Sequence, residues 1–354
     1  MALCAYQTSN NYEHVIYVGL DNHVHELIYT GQWRHNDLTT AAKGAPPAAP
    51  GSALAGYQTS NNNEHVIFKG ANNHVYELVY TGQWACNDLT TAAKGAPPAA
   101  PGSALAGYQS PNNNEHVIFE GANNHVYELV YTGQWACNDL TTTAKGAPPA
   151  APGSALAGYQ TSNNNEHVIY INTHVYELIY TDHWAYNDVT KAATSATAPP
   201  ADQGSALAGY QTSNNNEHVI FVGEYHVNEL VYTDHWANND LGGPNAGTGS
   251  GLAGYQSSNN NEHVNYIGFD NHVHELVYTG QWRHNDLTTA ANGAPPADPE
   301  SGLAGYQTSN NNLHVNYISV DHHVHELVYT DDQWRHNDLT TAANGAPPAA
   351  LSSQ

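Results

Sequence analysis

Basic side chains are what this sequence has least of: 8 Lys and Arg stand against 32 Asp and Glu, a formal net charge of -24. Nucleic-acid binding depends on neutralising phosphates with such groups, so that class is excluded, and an anionic membrane surface would repel the chain in the same way. Cysteine is scarce too. Cys4, Cys86 and Cys137 are odd in number and unevenly placed, which is no disulfide framework, and they read as small reduced side chains. No apolar run approaches the length that crosses a bilayer, and the opening MALCAYQTSNN lacks the basic and long apolar regions of a conventional secretory signal. The expectation is a soluble chain with no transmembrane segment, cytoplasmic or exported without a signal peptide.

Chemical motifs are missing as well. There is no GxSxG elbow, Walker sequence, dinucleotide fingerprint, HExxH or CxxC spacing, so no catalytic residue, metal site or cofactor is expected. Charged residues make up only 11% of the chain. The polar surface therefore falls to Asn, His, Tyr and Thr, neutral amides and hydroxyls suited to hydrogen bonding with neutral polyols.

What is present is a repeat. The tyrosine of an LAGY segment falls at Tyr6, Tyr57, Tyr108, Tyr159, Tyr210, Tyr255 and Tyr306, with spacings of 51, 51, 51, 51, 45 and 51 residues. The seven tryptophans fall one per copy. Periods near 50 mark solenoids, propellers or arrays. Within copy one, four short segments (Leu3 to Tyr6, His14 to Val18, His23 to Tyr29, Trp33 to Leu38) are separated by TSNN, GLDN and TG, residues that favour turns. The third segment alternates Val24, Glu26, Ile28 against His23, His25, Leu27, the period of a strand. Four strands and a Pro/Ala linker of about 12 residues make a propeller blade. The fold expected is all-β: a seven-bladed β-propeller with four antiparallel strands per blade, one domain over 1–354, with blades near 2–42, 53–93, 104–144, 155–193, 206–243, 251–291 and 302–343. Because copy one starts with its first strand and copy seven ends with its fourth, each blade is expected to be self-contained, against an alternative in which the LAGY strand joins the preceding blade.

Several positions recur in every copy. Glu26, Glu77, Glu128, Glu177, Glu229, Glu275 and Glu326 occupy strand three. A carboxylate among Val and Ile must be paired or hydrogen-bonded if buried, so it either accepts from a neighbouring blade or linker, or lies in an inter-blade groove and accepts ligand hydroxyls. Trp33, Trp84, Trp135, Trp184, Trp236, Trp282 and Trp334 serve as blade filler or as a platform for an apolar sugar face. The Asn-Asp pair that follows, Asn36-Asp37 in copy one, is expected to hold a turn. His14 and His23 also recur in every copy, which argues for a shared role rather than a single catalytic one.

Other positions split the copies. Copies one, six and seven read WRHND, whereas the rest read WAxND. His25, His274 and His325 accompany Arg34, Arg283 and Arg335, together with His35, His284 and His336. That they change together suggests neighbours across strands three and four; His25, His274, His325, Arg34, Arg283 and Arg335 are candidate ligand-binding residues, for hydrogen bonding or a cationic sugar contact, ahead of zinc held by a facing His pair. Ring closure would make the three copies one contiguous sector.

The unit resembles tandem-repeat propeller lectins, in particular the fucose-binding fungal and bacterial family, and propeller modules with HVHEL and WHHNDLT repeats. In those lectins an arginine, a glutamate and aromatic residues hold a sugar between adjacent blades. The resemblance puts the glutamate on Glu26 and its equivalents and the apolar contact on Trp33 and its equivalents. The family's second-strand arginine is absent, since Val15 and its equivalents or the preceding His stand there, and Arg34, Arg283 and Arg335 lie in another strand. The first expectation is therefore a multivalent, non-catalytic carbohydrate-binding protein whose partners are glycans or glycoproteins. A protein-interaction or structural scaffold is the alternative, and a glycan-active enzyme the third reading.

Overall fold

A computed structural model describes residues 3–194, 198–247 and 249–351. Seven four-stranded antiparallel sheets follow one another along the chain. In blade 1 they are β1 (Leu3–Gln7), β2 (Glu13–Val18), β3 (Val24–Tyr29) and β4 (Trp33–Asp37), and the next residues form a short helix, α1 (Leu38–Ala41). Every sheet is built from one copy of the repeat, in sequence order. The first strands of successive blades pack on one another, β1 on those beginning at Leu54 and Leu303 alike, so they line the centre of a closed ring.

Turn chemistry explains the Asn-rich breaks. Asn11, Asn62, Asn113, Asn164, Asn215, Asn260 and Asn311 all have φ between 64° and 70° between the first and second strands. This is the left-handed region, which Asn tolerates better than other side chains.

Blades adhere through apolar faces. Ile16, Val18, Val24 and Leu38 of blade 1 meet Leu54, Val66, Phe68 and Leu78 of blade 2, all buried, and six similar clusters complete the circle. Gly56 lies against the Tyr6 ring, where an added Cβ would fall 2.8 Å from Cε1. That close approach favours the glycine found there in six blades, with Ala5 standing at the position in blade 1.

Two kinds of hydrogen bond clasp the blades. The Ser9 N–H donates to Gln58 Oε1 at 2.7 Å and its hydroxyl meets Asn62 Oδ1 at 2.8 Å. Blade 7 repeats this on blade 1, through Ser309 to Gln7 and Asn11, both at 2.8 Å. Between blades 3 and 4 the serine is Pro111, which has no N–H to give, and Gln160 Oε1 is buried without a partner. The linkers form the second clasp: Ala49 N–H donates to Lys69 O, and Ala350 N–H donates to Val18 O, at 2.7 Å each.

The Asp that ends strand four holds the turn, as its position predicts. Asp37 accepts from Thr40 N at 2.9 Å, capping α1, and its other oxygen faces His23 Nδ1 at 2.8 Å. The four-residue helix itself has no signature in the sequence, being too short for a helical stripe. In blade 5 LGG follows Asp240 and the helix is absent. All three cysteines are free. Among the described residues no helix is long and apolar enough to cross a membrane.

Candidate functional site: the seam between blades

Strand alternation sorts each blade's polar residues onto two faces. Cross-strand register pairs Glu26 with Ile16 and Asn36, Ile28 with His14 and Arg34, and His25 with Tyr17 and Asp37. One face thus carries His14, Glu26, Arg34 and Asn36. The other carries His25, Tyr29, Trp33, His35 and Asp37.

The first face has a buried polar floor. His14 Nδ1 lies 2.8 Å from Glu26 Oε1, and Asn36 Nδ2 donates to Glu26 Oε2 at 2.7 Å. The same triad recurs in all seven blades, from His65, Glu77 and Asn87 to His314, Glu326 and Asn337. A carboxylate oxygen accepts, so Nδ1 carries the imidazole hydrogen. Tyr6 stacks on His14 at 5.0 Å between ring centroids. The strand-three glutamates are at most 3% exposed, and their partners belong to their own sheet rather than to a neighbouring blade or linker. Asn36 likewise braces the glutamate, while Asp37 alone holds the turn.

Across the seam a second carboxylate approaches. Glu64 of blade 2 reaches His14 at 3.5 Å, and Glu13 of blade 1 reaches His314 of blade 7 at 3.5 Å. Six seams carry this arrangement. At the seam from blade 6 to blade 7 the residue is Leu313. Burial raises the carboxyl pKa of Glu13, Glu64, Glu115, Glu166, Glu217 and Glu262; the nearby imidazole opposes the shift and the floor glutamate of the preceding blade adds to it. These second-strand glutamates have a plain signature in the sequence, an EHV that recurs in six copies and becomes LHV at Leu313.

Above the floor the seam opens into clefts. One of about 300 Å³ is lined by His314, Glu326, Val328, Arg335 and Asn337 of blade 7 and by Glu13, Tyr29 and Trp33 of blade 1. Arg335 is anchored to Asp331 at 3.1 Å. The cleft between blades 6 and 7, about 580 Å³, has His263, Glu275 and Asn285 on one wall and Leu313, Tyr329 and Trp334 on the other. Each tryptophan leans on the tyrosine that ends strand three, Tyr29 to Trp33 at 5.4 Å. Trp184 and Trp236 are buried, whereas Trp33, Trp84, Trp135, Trp282 and Trp334 are half-exposed.

The structure thus joins residues of different copies: Glu326 and Arg335 of blade 7 with Trp33 of blade 1, and Glu275 of blade 6 with Trp334 of blade 7. It also separates two residues of the WRHND sector. His25, His274 and His325 contact His35, His284 and His336 at 2.8 to 2.9 Å, so these co-varying positions are neighbours. Arg34, Arg283 and Arg335 are on the opposite face, and His25, His274 and His325 are nearly fully buried at the far end of the sheet from Trp33 and its equivalents.

No family model matches this sequence, and no curated protein matches it. The fold does have solved counterparts, lectins among them. A lectin from Burkholderia pseudomallei, BP39L, is 18% identical with a TM-score of 0.65, covering 94% of this chain and 97% of its own. The six-bladed fucose-recognising lectin of Aleuria aurantia is 16% identical with a TM-score of 0.59, covering 85% and 97%. AofleA from Arthrobotrys oligospora is 14% identical with a TM-score of 0.60, covering 81% and 86%. At these identities the likeness is one of architecture, and this ring has one blade more than the Aleuria lectin.

Proposed function

We propose that this propeller is a multivalent, non-catalytic carbohydrate-binding protein with its sites in the grooves between blades, taking glycans or glycoproteins as partners. The observation that carries the reading is the cleft between blades 7 and 1. Arg335, the carboxylate of Glu13 and the paired rings of Tyr29 and Trp33 converge on it from two blades. A charged donor and an acceptor suit sugar hydroxyls, and an indole face suits the apolar side of a pyranose. Glu326, already doubly hydrogen-bonded, works here as the brace of the cleft floor. Equivalent residues would give three arginine-bearing grooves, with Arg335 facing Trp33, Arg34 facing Trp84, and Arg283 facing Trp334. Several weak sites on one rigid disk gain avidity on a glycan-coated surface.

Fucosides are the first ligands to try, because fucose recognition is stated for the Aleuria aurantia lectin. Calorimetric titration with methyl fucoside, beside a glycan array, should detect millimolar or tighter binding. Arg335→Ala should weaken the blade 7 to 1 site by about 1.5–3 kcal/mol, the usual worth of a hydrogen bond to a charged group. Absence of any saccharide binding at millimolar sugar overturns the reading. Undiminished binding in an Arg34→Ala, Arg283→Ala, Arg335→Ala triple variant places the sites elsewhere.

A further inference from the structure

A second set of side chains lies at the opposite end of the blades from the clefts, and only in blades 1, 6 and 7. The turn between strands two and three and the start of strand three read Asp21-Asn22-His23-Val24-His25, Asp270-Asn271-His272-Val273-His274 and Asp321-His322-His323-Val324-His325. In blade 7 one ligand atom each of Asp321, His323 and His325 lies within 4.8 Å of the other two. The same contacts recur in the sister blades: His25 Nε2 to Asp21 Oδ1 and His274 Nε2 to Asp270 Oδ1 are both 3.0 Å, and the paired His rings are 6.1 and 6.2 Å apart. We propose that each Asp-x-His-x-His unit of blades 1, 6 and 7 is a binding site for a divalent transition ion of the Zn2+ class, held by one carboxylate and two imidazoles.

Three observations argue for it. First, both imidazoles are oriented from behind. His323 Nδ1 is held by Asp338 at 2.8 Å, which leaves Nε2 as the nitrogen with a free lone pair, and His325 Nδ1 is held by His336 at 2.8 Å. A ligating imidazole typically gives its other N–H to such a partner, which fixes its tautomer. Secondly, donors are graded from inside to outside. His325 is buried, the His323 side chain is 32% exposed and Asp321 52%, so an ion would keep solvent on its outer side, and drawing the three ligand atoms to the separation of about 3.3 Å kept around one zinc asks for rotation of the exposed groups. Thirdly, the aspartate and the inner imidazole come and go together, while the middle histidine is kept in every blade. Blades 2 and 3 have Asn72 and Tyr76, Asn123 and Tyr127, in which the amide donates to the phenol at 2.8 and 2.9 Å. The turn folds equally well with that pair, so its own stability does not demand Asp and His.

That native alternative supplies the test. The tag-free chain, stripped with EDTA, is titrated with Zn2+ by calorimetry and with Co2+ by visible absorption. The expected result is about three ions per chain with a tetrahedral or five-coordinate Co2+ spectrum, displaced by Zn2+. Asp21→Asn with His25→Tyr, Asp270→Asn with His274→Tyr, and Asp321→Asn with His325→Tyr rebuild the pair that blades 2 and 3 already accommodate. Each double change should remove one ion, and all three together every one, with the circular dichroism spectrum unchanged. Replacing His336 by the Cys found in blades 2 and 3 should weaken the blade 7 site about 10–100-fold, as loss of an orienting partner does. No binding at about 0.1 mM Zn2+, a range that any useful site reaches, overturns the proposal. So does a stoichiometry that the six substitutions leave intact, since the ions would then sit on other histidines.

Discussion

Blades 6, 7 and 1 and blades 2 to 5 are built on one floor and finished with different rims. The His–Glu–Asn triad, the Asp at the end of strand four and the tyrosine stacked on histidine are common to all. Arg335 against Ala136, His325 against Tyr127 and Asp321 against Asn123 divide them. What stays constant lies where one blade meets the next, because every seam must solve the same burial problem. What varies lies toward the two ends of the sheet, with Arg335 and Asp321 exposed there and His325 buried behind Asp321. The division separates residues that build the ring from residues free to meet ligands.

The sharpest way to break this comparison is to remove a floor carboxylate in each sector. Glu77→Ala and Glu326→Ala each strand a buried imidazole, His65 and His314, and each should cost about 3–5 kcal/mol. Denaturant unfolding should give the two variants the same loss. A much smaller loss for Glu326 would mean that the WRHND sector uses its floor for something besides folding.

Next in size come two residues peculiar to blades 6 and 7. Asn265 and Asn316 are fully buried with no hydrogen-bond partner for either side-chain atom, at positions where Ile16, Ile67, Ile118, Ile169 and Ile220 fill the other blades. Asn265→Ile and Asn316→Ile should each raise stability by about 1–3 kcal/mol, the usual penalty of an unsatisfied buried polar group. Thermal melting reads the gain.

Smaller again is the cap. Asp338→Ala should cost about 1 kcal/mol by uncapping its helix. The same change at Asp240, which meets the Gly242 N–H and His226 Nδ1 at 2.9 Å each but has no helix behind it, should cost less by denaturant unfolding.

The smallest effect is a pH dependence at the one seam without a second carboxylate. Leu313→Glu should acquire a raised pKa by the same burial that raises Glu13 and Glu64. A raised carboxyl binds its proton more tightly folded than unfolded. Its contribution is therefore full below the unfolded value of about 4.3 and is lost as pH rises through the folded value. The deficit of Leu313→Glu relative to the parent should widen from pH 4 to pH 7 in parallel unfolding curves, and a deficit that shrinks with rising pH would show the imidazole outweighing burial.

Much of the architecture could be read from the sequence because the repeat states it seven times: one Trp per copy, four short strands, Asn and Gly at the turns. The site was harder. Period alone does not say which residue on strand four faces which on strand three, so Glu26 could be singled out while its partner Asn36 was assigned to the turn with Asp37. Arg34 and His35 change together, yet alternation sends them to opposite faces. That consequence was available from the strand reading and pointed to two separate sites. The groove itself is composite, Glu326 and Arg335 from one copy and Trp33 from the next, and a comparison of copies one by one cannot see a pairing between copies.

Because no sheet borrows a strand from the other end of the chain, every strand pairs within its own copy of the repeat. Each hairpin closes a loop of a few residues, and each blade leans on one about 50 residues away. The contacts that span the chain are those of blade 7 and the last linker on blade 1, such as Ser309 on Gln7 and Tyr17 Oη on Pro347 O, 302 and 330 residues apart. The entropy of closing a loop rises with its length and is met before the contact rewards it. The ring therefore assembles as a growing arc, blade upon blade from any starting point, and the seam between blades 7 and 1, where the best-formed arginine cleft lies, comes into being only when the arc shuts.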